Sequence, residues 1–314
     1  MTAAEQHRRF LTILCFGLVY FFWGSTYLAI DIAVGGIPPA LMCAIRFLIA
    51  GALMLAYARL TGENIRYSRD RLAKLAVIGV LLLTGGNMTL AYAEQYVPTG
   101  LASLLIASIP LWMILQGVFL LEDHHLPLQG IFGLALGVCG TFVLLWPQLH
   151  ETTTLGRKEL LFSLALLAGS FSWGLGSVLT KRWKTGSSLS TAGWQVSFAG
   201  LACLLFATLR GDMAHGHWPM RSLLAVAYLI VCGSLIGYTA YIWLLGHVTT
   251  SKVSTYAYVN PIVAVFLGWI VLHEHVDRFI LAGSFIVIVS VVLVNSAAVK
   301  TKSPVAVAAE TGAD

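Results

Sequence analysis

The chain alternates between apolar runs of about 20 residues and short polar connections; each run can cross a ~30 Å hydrocarbon core at 1.5 Å per residue. The pattern predicts ten membrane-spanning helices, at 10–30, 38–59, 72–93, 98–121, 127–146, 159–180, 190–209, 222–244, 250–272 and 279–298. The connections are mostly short and leave no room for a soluble catalytic domain. The last stretch, 299–314, is rich in Ala and Val and reads as a disordered cytoplasmic tail. The expected fold class is all-α, a polytopic membrane protein.

Composition agrees: 58% of residues are hydrophobic, 11% are charged, and mean hydropathy is +0.83, more apolar surface than a water-soluble domain can hide. The formal charge of +5 is no nucleic-acid signal, because the basic residues sit between apolar runs. Arg59, Arg66, Arg69, Arg71 and Lys74 crowd the second connection, and Lys181, Arg182 and Lys184 follow the sixth span. With Arg8 and Arg9, this bias predicts both termini in the cytoplasm. The first run follows Arg8-Arg9 but lacks a convincing cleavage site, so it reads as a retained span. Five cysteines, all inside apolar runs and without CxxC spacing, predict no disulfide.

The two halves of the chain repeat. Trp23-Gly24 matches Trp173-Gly174, Ala50-Gly51 matches Ala199-Gly200, Leu75-Ala76-Val77 matches Leu224-Ala225-Val226, Pro110 matches Pro261 and Asp123 matches Glu274. All are about 150 residues apart, in register across a hundred positions. Two five-span repeats, 10–146 and 159–298, are expected. Five is odd, so the second must enter the membrane inverted, a transporter architecture with substrate held at the repeat interface.

These paired repeats, with Trp-Gly in the first span, a mid-span Pro in the fourth and an acid just after it, resemble the drug/metabolite transporter superfamily. The run Tyr256-Ala-Tyr-Val-Asn-Pro-Ile-Val-Ala-Val265 resembles bacterial inner-membrane exporters of its ten-span EamA family. The resemblance implies an export-type carrier in the bacterial inner membrane, with a central cavity lined by spans one, three, four, six, eight and nine. Many members carry Gly-Glu after the fourth span of a repeat; here Glu122-Asp123 and His273-Glu274 stand instead, so no coupling role transfers to them.

Within the ninth span, Pro261 removes a helical N–H and displaces the carbonyl of Ala257, predicting a kink near the bilayer centre; Pro110 is its mirror. Tyr256 and Asn260 share one face beside it. Four further stripes are polar or aromatic where lipid would favour Leu or Val: Tyr20, Trp23 and Tyr27; Thr84, Asn87 and Ala91; Ser170, Trp173 and Ser177; Ser234, Tyr238 and Tyr241. Each can serve interhelical hydrogen bonding; together they predict a cavity, with Trp23, Tyr27, Asn87, Trp173, Tyr238, Tyr241, Tyr256 and Asn260 contacting substrate. Arg46 admits two readings: a bidentate contact to a substrate carboxylate, or a structural role, snorkelling or pairing with Asp31.

The aromatic faces suit amphipathic metabolites, amino acids or drugs. Partners are a small-molecule substrate and the bilayer; no nucleic acid, cofactor or metal is expected, and oligomeric state stays open. His124-His125, His215, His217, His273 and His275 fall at loops, as solvated residues do. No HExxH, GxSxG or GxxxxGK[ST] occurs, against a membrane-embedded enzyme or an ATP-driven pump. A facilitative channel-like pore, or a membrane-embedded enzyme without a recognisable motif, remains the alternative. Asp31, Glu94, Glu122, Asp123 and Glu274 all fall near interfaces, which points to facilitative transport or to coupling through a rim acid.

Overall fold

The computed structural model describes residues 3–121, 128–150 and 153–300. Among them there are helices and no strand. In chain order the long rods are α1 (Glu5–Val34), α2 (Pro39–Leu60), α3 (Arg69–Ala93), α4 (Thr99–Leu120), α5 (Leu128–His150), α6 (Thr154–Arg182), α7 (Leu189–Leu209), α8 (Met220–His247), α9 (Tyr256–Val271) and α10 (Arg278–Lys300). The first eight are long and apolar enough to cross a membrane; the last two contain shorter apolar helices, Val259–Val271 and Arg278–Leu293. Glu122, Asp123, His124 and His125 lie outside the described residues. α10 continues through Lys300, so the first two residues of the expected tail, Val299 and Lys300, are helical; the rest of it lies outside the described residues.

Local chemistry sets the helix ends. Ser68, Ser188 and Thr153 each accept a hydrogen bond from a backbone N–H in the first turn of α3, α7 and α6. Pro39 opens α2, where its missing N–H has no helical partner to lose. Gly62 and Gly211 follow α2 and α7 with φ of 82° and 72°, a left-handed turn that stops each helix. Their spacing repeats that of Ala50-Gly51 and Ala199-Gly200.

The prolines act differently from expectation. α4 breaks at Ala107-Ser108, and Pro110 falls in the first turn of its second part, where an N–H is free anyway. α9 runs unbroken through Pro261; the interruption comes more than a turn earlier, at Ser254-Thr255, after the short helix Thr250–Val253. The carbonyl that Pro261 disfavours as an acceptor, that of Ala257, is thus in the opening turn of α9, where the chain has just redirected.

Packing joins the two halves throughout. α2 lies along α7, and α5 lies along α10. Phe132, Leu201, Phe266 and Phe285 are exposed on the outer surface, as a hydrocarbon solvent permits.

Candidate functional site

Three spans widen into π-helical turns near the middle of the bundle: Val19–Trp23 in α1, Val80–Met88 in α3 and Leu229–Tyr238 in α8. Closing a turn on the fifth residue instead of the fourth re-aims the side chains that follow, and such turns concentrate at functional sites. Here they carry Trp23, Gly86, Asn87, Gly233, Ser234 and Tyr238, all lining one cavity. α1 adds Thr26 and Tyr27, α4 adds Ile106 and Ile109, α6 adds Ser170 and Trp173, and α9 adds Tyr256 and Asn260. Two spans outside the expected set also reach it, α2 through Arg46 and α7 through Val196.

Every predicted contact residue except Tyr241 lines this cavity. Tyr241 stands behind the wall: its hydroxyl accepts from Trp173 Nε1 at 3.0 Å and pairs with Ser177 Oγ at 2.7 Å, holding the indole in place. It lies beyond the π-helical stretch of α8, so the ordinary helical spacing that grouped it with Ser234 and Tyr238 does not hold across that boundary. Ala91 likewise lies beyond the π-helical stretch of α3 and drops out of its stripe; Thr84, inside that stretch, donates Oγ1 to the Ala199 carbonyl at 3.4 Å. Tyr20 pairs with Thr255 Oγ1 at 2.6 Å, tying α1 to the turn before α9.

The floor of the cavity is an aromatic cluster. Trp23 meets Trp173 edge-on at 5.4 Å between centroids and Tyr256 edge-on at 5.3 Å, the favoured geometry for aromatic pairs. Each indole rests on a glycine of the other repeat. A Cβ at Gly237 would lie 2.5 Å from Trp23 Nε1, and one at Gly86 would lie 2.7 Å from Trp173 Cε3.

Arg46 supplies the charge. It is only 3% exposed. Its Nε donates to Ser234 Oγ at 2.9 Å, and Nη1 donates to Asn87 Oδ1 at 3.4 Å. Among the described residues no carboxylate lies within ion-pair distance, so Arg46 neither snorkels outward nor pairs with Asp31. Gly233 makes room, since a Cβ there would sit 2.6 Å from Nη2. Asn260 Oδ1 and Ser170 Oγ, also in the lining, are buried without a hydrogen-bond partner among the described residues. The chamber therefore presents one cation, unpartnered polar atoms and the apolar side chains of Ile106, Ile109, Leu83 and Leu90.

Two acids expected at the rim behave unlike one another. Glu274, beyond α9, accepts from the backbone N–H of Thr99 at 2.7 Å and of Gly100 at 3.1 Å, capping the start of α4 with charge opposite to the helix dipole. Glu94, just past α3, is not at a wet rim: it is 4% exposed. Sequence reading missed its burial, because its place in the chain is that of an ordinary helix end. Among the described residues no group of three His, Cys, Asp or Glu is placed to hold a metal ion. His215 borders a shallow surface notch with Tyr92, Arg210 and Asp212.

Residues 10–146 and again 160–296 match the profile of the EamA-like transporter family. The chain belongs to the EamA-like transporter family. It is 33% identical to the inner membrane transporter YedA of Escherichia coli over 88% of each chain. It is 24% identical to a probable amino-acid metabolite efflux pump of Salmonella typhimurium, over 86% of this chain and 90% of the pump. A solved crystal structure with 18% identity superposes at a TM-score of 0.67, covering 91% of this chain and 98% of the other, a likeness of fold. The protein is a multi-pass membrane transporter.

Proposed function

We propose that the protein is a secondary transporter that exports small amphipathic carboxylates of amino-acid type across the bacterial inner membrane. Transport proceeds by alternating access of two inverted repeats, 10–146 and 159–298, with both termini in the cytoplasm. The observation that carries the reading is Arg46, a buried guanidinium held by neutral acceptors beside an aromatic wall. A buried cation without its counter-ion is costly, and a substrate carboxylate relieves that cost on arrival. Trp23, Trp173 and Tyr256 then receive the apolar part, and Asn260 and Ser170 offer polar contacts to the remainder. Cationic drugs fit less well, since Arg46 repels them. The efflux pump among the relatives is named for amino-acid metabolites, which accords with this class.

The test is a panel of labelled amino acids, aromatic carboxylates, cationic dyes and sugars, followed in overproducing cells and then in liposomes. Saturable movement and exchange of amphipathic carboxylates are expected. Movement of sugars alone would overturn the reading, and unsaturable flux without exchange would favour a channel.

A further inference from the structure

Glu94 is a buried acid that substrate binding does not use. Both carboxyl oxygens are buried, and neither meets a protein hydrogen-bond donor among the described residues. It stands one helical turn beyond Leu90, which lines the cavity, and its backbone N–H bonds the Leu90 carbonyl at 2.9 Å. On its other side, Tyr92 and Gln95 border the open notch at this end of the bundle. Glu94 thus sits between the chamber and one surface of the membrane.

The charged and titratable groups around it offer no close counter-ion. From α1 come Tyr27 and Asp31, from α2 come Cys43 and Arg46, and from the turn after α9 comes Glu274. Arg46 is the one cation of that set, and it is spent on Ser234 and Asn87. Asp31 and Glu274 repel a second negative charge, and Glu274 already holds the start of α4. A metal ion would need several ligands in place, and among the described residues Glu94 belongs to no group of three His, Cys, Asp or Glu placed to hold one. The one partner that a lone carboxylate in such a site can take is a proton.

We propose that Glu94 is a proton-binding site whose occupancy is linked to closure of the bundle at its own end. With the proton bound, the carboxyl is neutral and stays buried in the closed arrangement. When that end opens, water reaches the group, its O–H bond breaks, the proton passes to water at that membrane face, and a carboxylate remains. Closing requires the proton to return. The site rests on the reading of the cavity as one that opens alternately, and it gives the transporter a means of responding to a proton gradient.

The experiment uses the full-length protein in liposomes, with its native cysteines replaced and Leu90→Cys as a reporter in the chamber. A membrane-impermeant maleimide is applied from the Glu94 side while pH is raised from mildly acidic to mildly alkaline. Divided at each pH by the labelling rate of a permanently exposed cysteine, which removes the rise in thiolate, the rate should increase severalfold with pH in the parent and stay low in E94Q. Difference infrared spectra of the protein without the reporter should contain a protonated-carboxyl band that E94Q lacks. Unchanged pH dependence in E94Q would overturn the proposal. An ionised Glu94 in the closed state would also overturn it. Should no amphipathic carboxylate be transported while labelling stays pH-gated through Glu94, the substrate assignment falls and the proton site stands.

Discussion

Arg46 Nε donates to Ser234 Oγ at 2.9 Å, a buried bond that ties α2 of the first half to α8 of the second. Its counterpart by repeat spacing is Gln195, whose Oε1 accepts from the Tyr238 hydroxyl at 2.8 Å. One half has a cation where the other has a neutral amide, so the charge in this chamber is not a product of the repeat.

Arg46→Gln should therefore fold, because Gln195 already occupies the equivalent place. Losing a charge-assisted contact of ~1.5–3 kcal/mol should weaken binding of amphipathic carboxylates by roughly ten- to a hundredfold. Tryptophan fluorescence titration with L-phenylalanine, alongside a thermal melt, measures both. Unaltered affinity in a well-folded variant would return Arg46 to a structural role.

Gly233→Ala should imitate that loss without touching the charge. The added methyl would lie 2.6 Å from Arg46 Nη2 and displace the guanidinium. We expect reduced carboxylate affinity with little change for neutral aromatic ligands. Equal losses for both ligand types would point to a general collapse of the chamber.

Asn260→Ala removes a buried amide whose Oδ1 has no protein hydrogen-bond partner. Stability should hardly change, since no intramolecular hydrogen bond from that oxygen is lost, while transport should fall about tenfold if a bond of ~1.4 kcal/mol to substrate disappears. Tyr241→Phe should do the reverse. It removes the hydroxyl bonded to Trp173 and Ser177, lowering stability by about 1 kcal/mol per bond, with a smaller effect on affinity. Melting curves and initial rates from the same preparations separate the two, and matching effects would contradict the placement of Tyr241 behind the wall.

Glu274→Gln weakens the cap on α4, a contact of roughly 0.5–2 kcal/mol. The closed arrangement at that end should become less populated, so Thr99→Cys in a background without other cysteines should react faster with an impermeant maleimide. An unchanged labelling rate would argue that Glu274 has no part in closure.

Orientation has its own test. Reporter fusions after Gly62 and Gly186 should read cytoplasmic, and fusions after Thr153 and Gly211 periplasmic. A reversed signal at any of these four points would remove the inverted-repeat arrangement.

Much of this was legible in the chain. Ten apolar runs, the paired Trp-Gly positions and the polar stripes located the spans and most of the chamber, because lipid tolerates polar side chains only where protein covers them. Arg46 was visible as a lone cation in an apolar run, but its partner Ser234 lies 188 residues away and no periodicity joins them. Tyr241, Thr84 and Ala91 were misplaced because stripes were projected on a uniform helix. Glu94 was taken for a rim residue because burial at a helix end depends on what packs over it, here α1, α2 and the turn after α9.

The π-helical stretches imply that this cavity is encoded partly by counting. Between the matches Ala76/Ala225 and Pro110/Pro261 the second half has gained two residues. Its π-helical stretch in α8 is 10 residues long against 9 in α3, so one of them is housed there. An inserted residue absorbed in this way leaves the span intact and keeps the side chains beyond it near their original facing, whereas in a uniform helix it would turn them by about 100°, one residue's share of a helical turn. Removing a single residue from the uniform helix beyond either stretch would leave composition, hydropathy and span number almost untouched, yet would swing the side chains that follow away from the chamber. In these segments, a change of length is tolerable only where a wide turn takes it up.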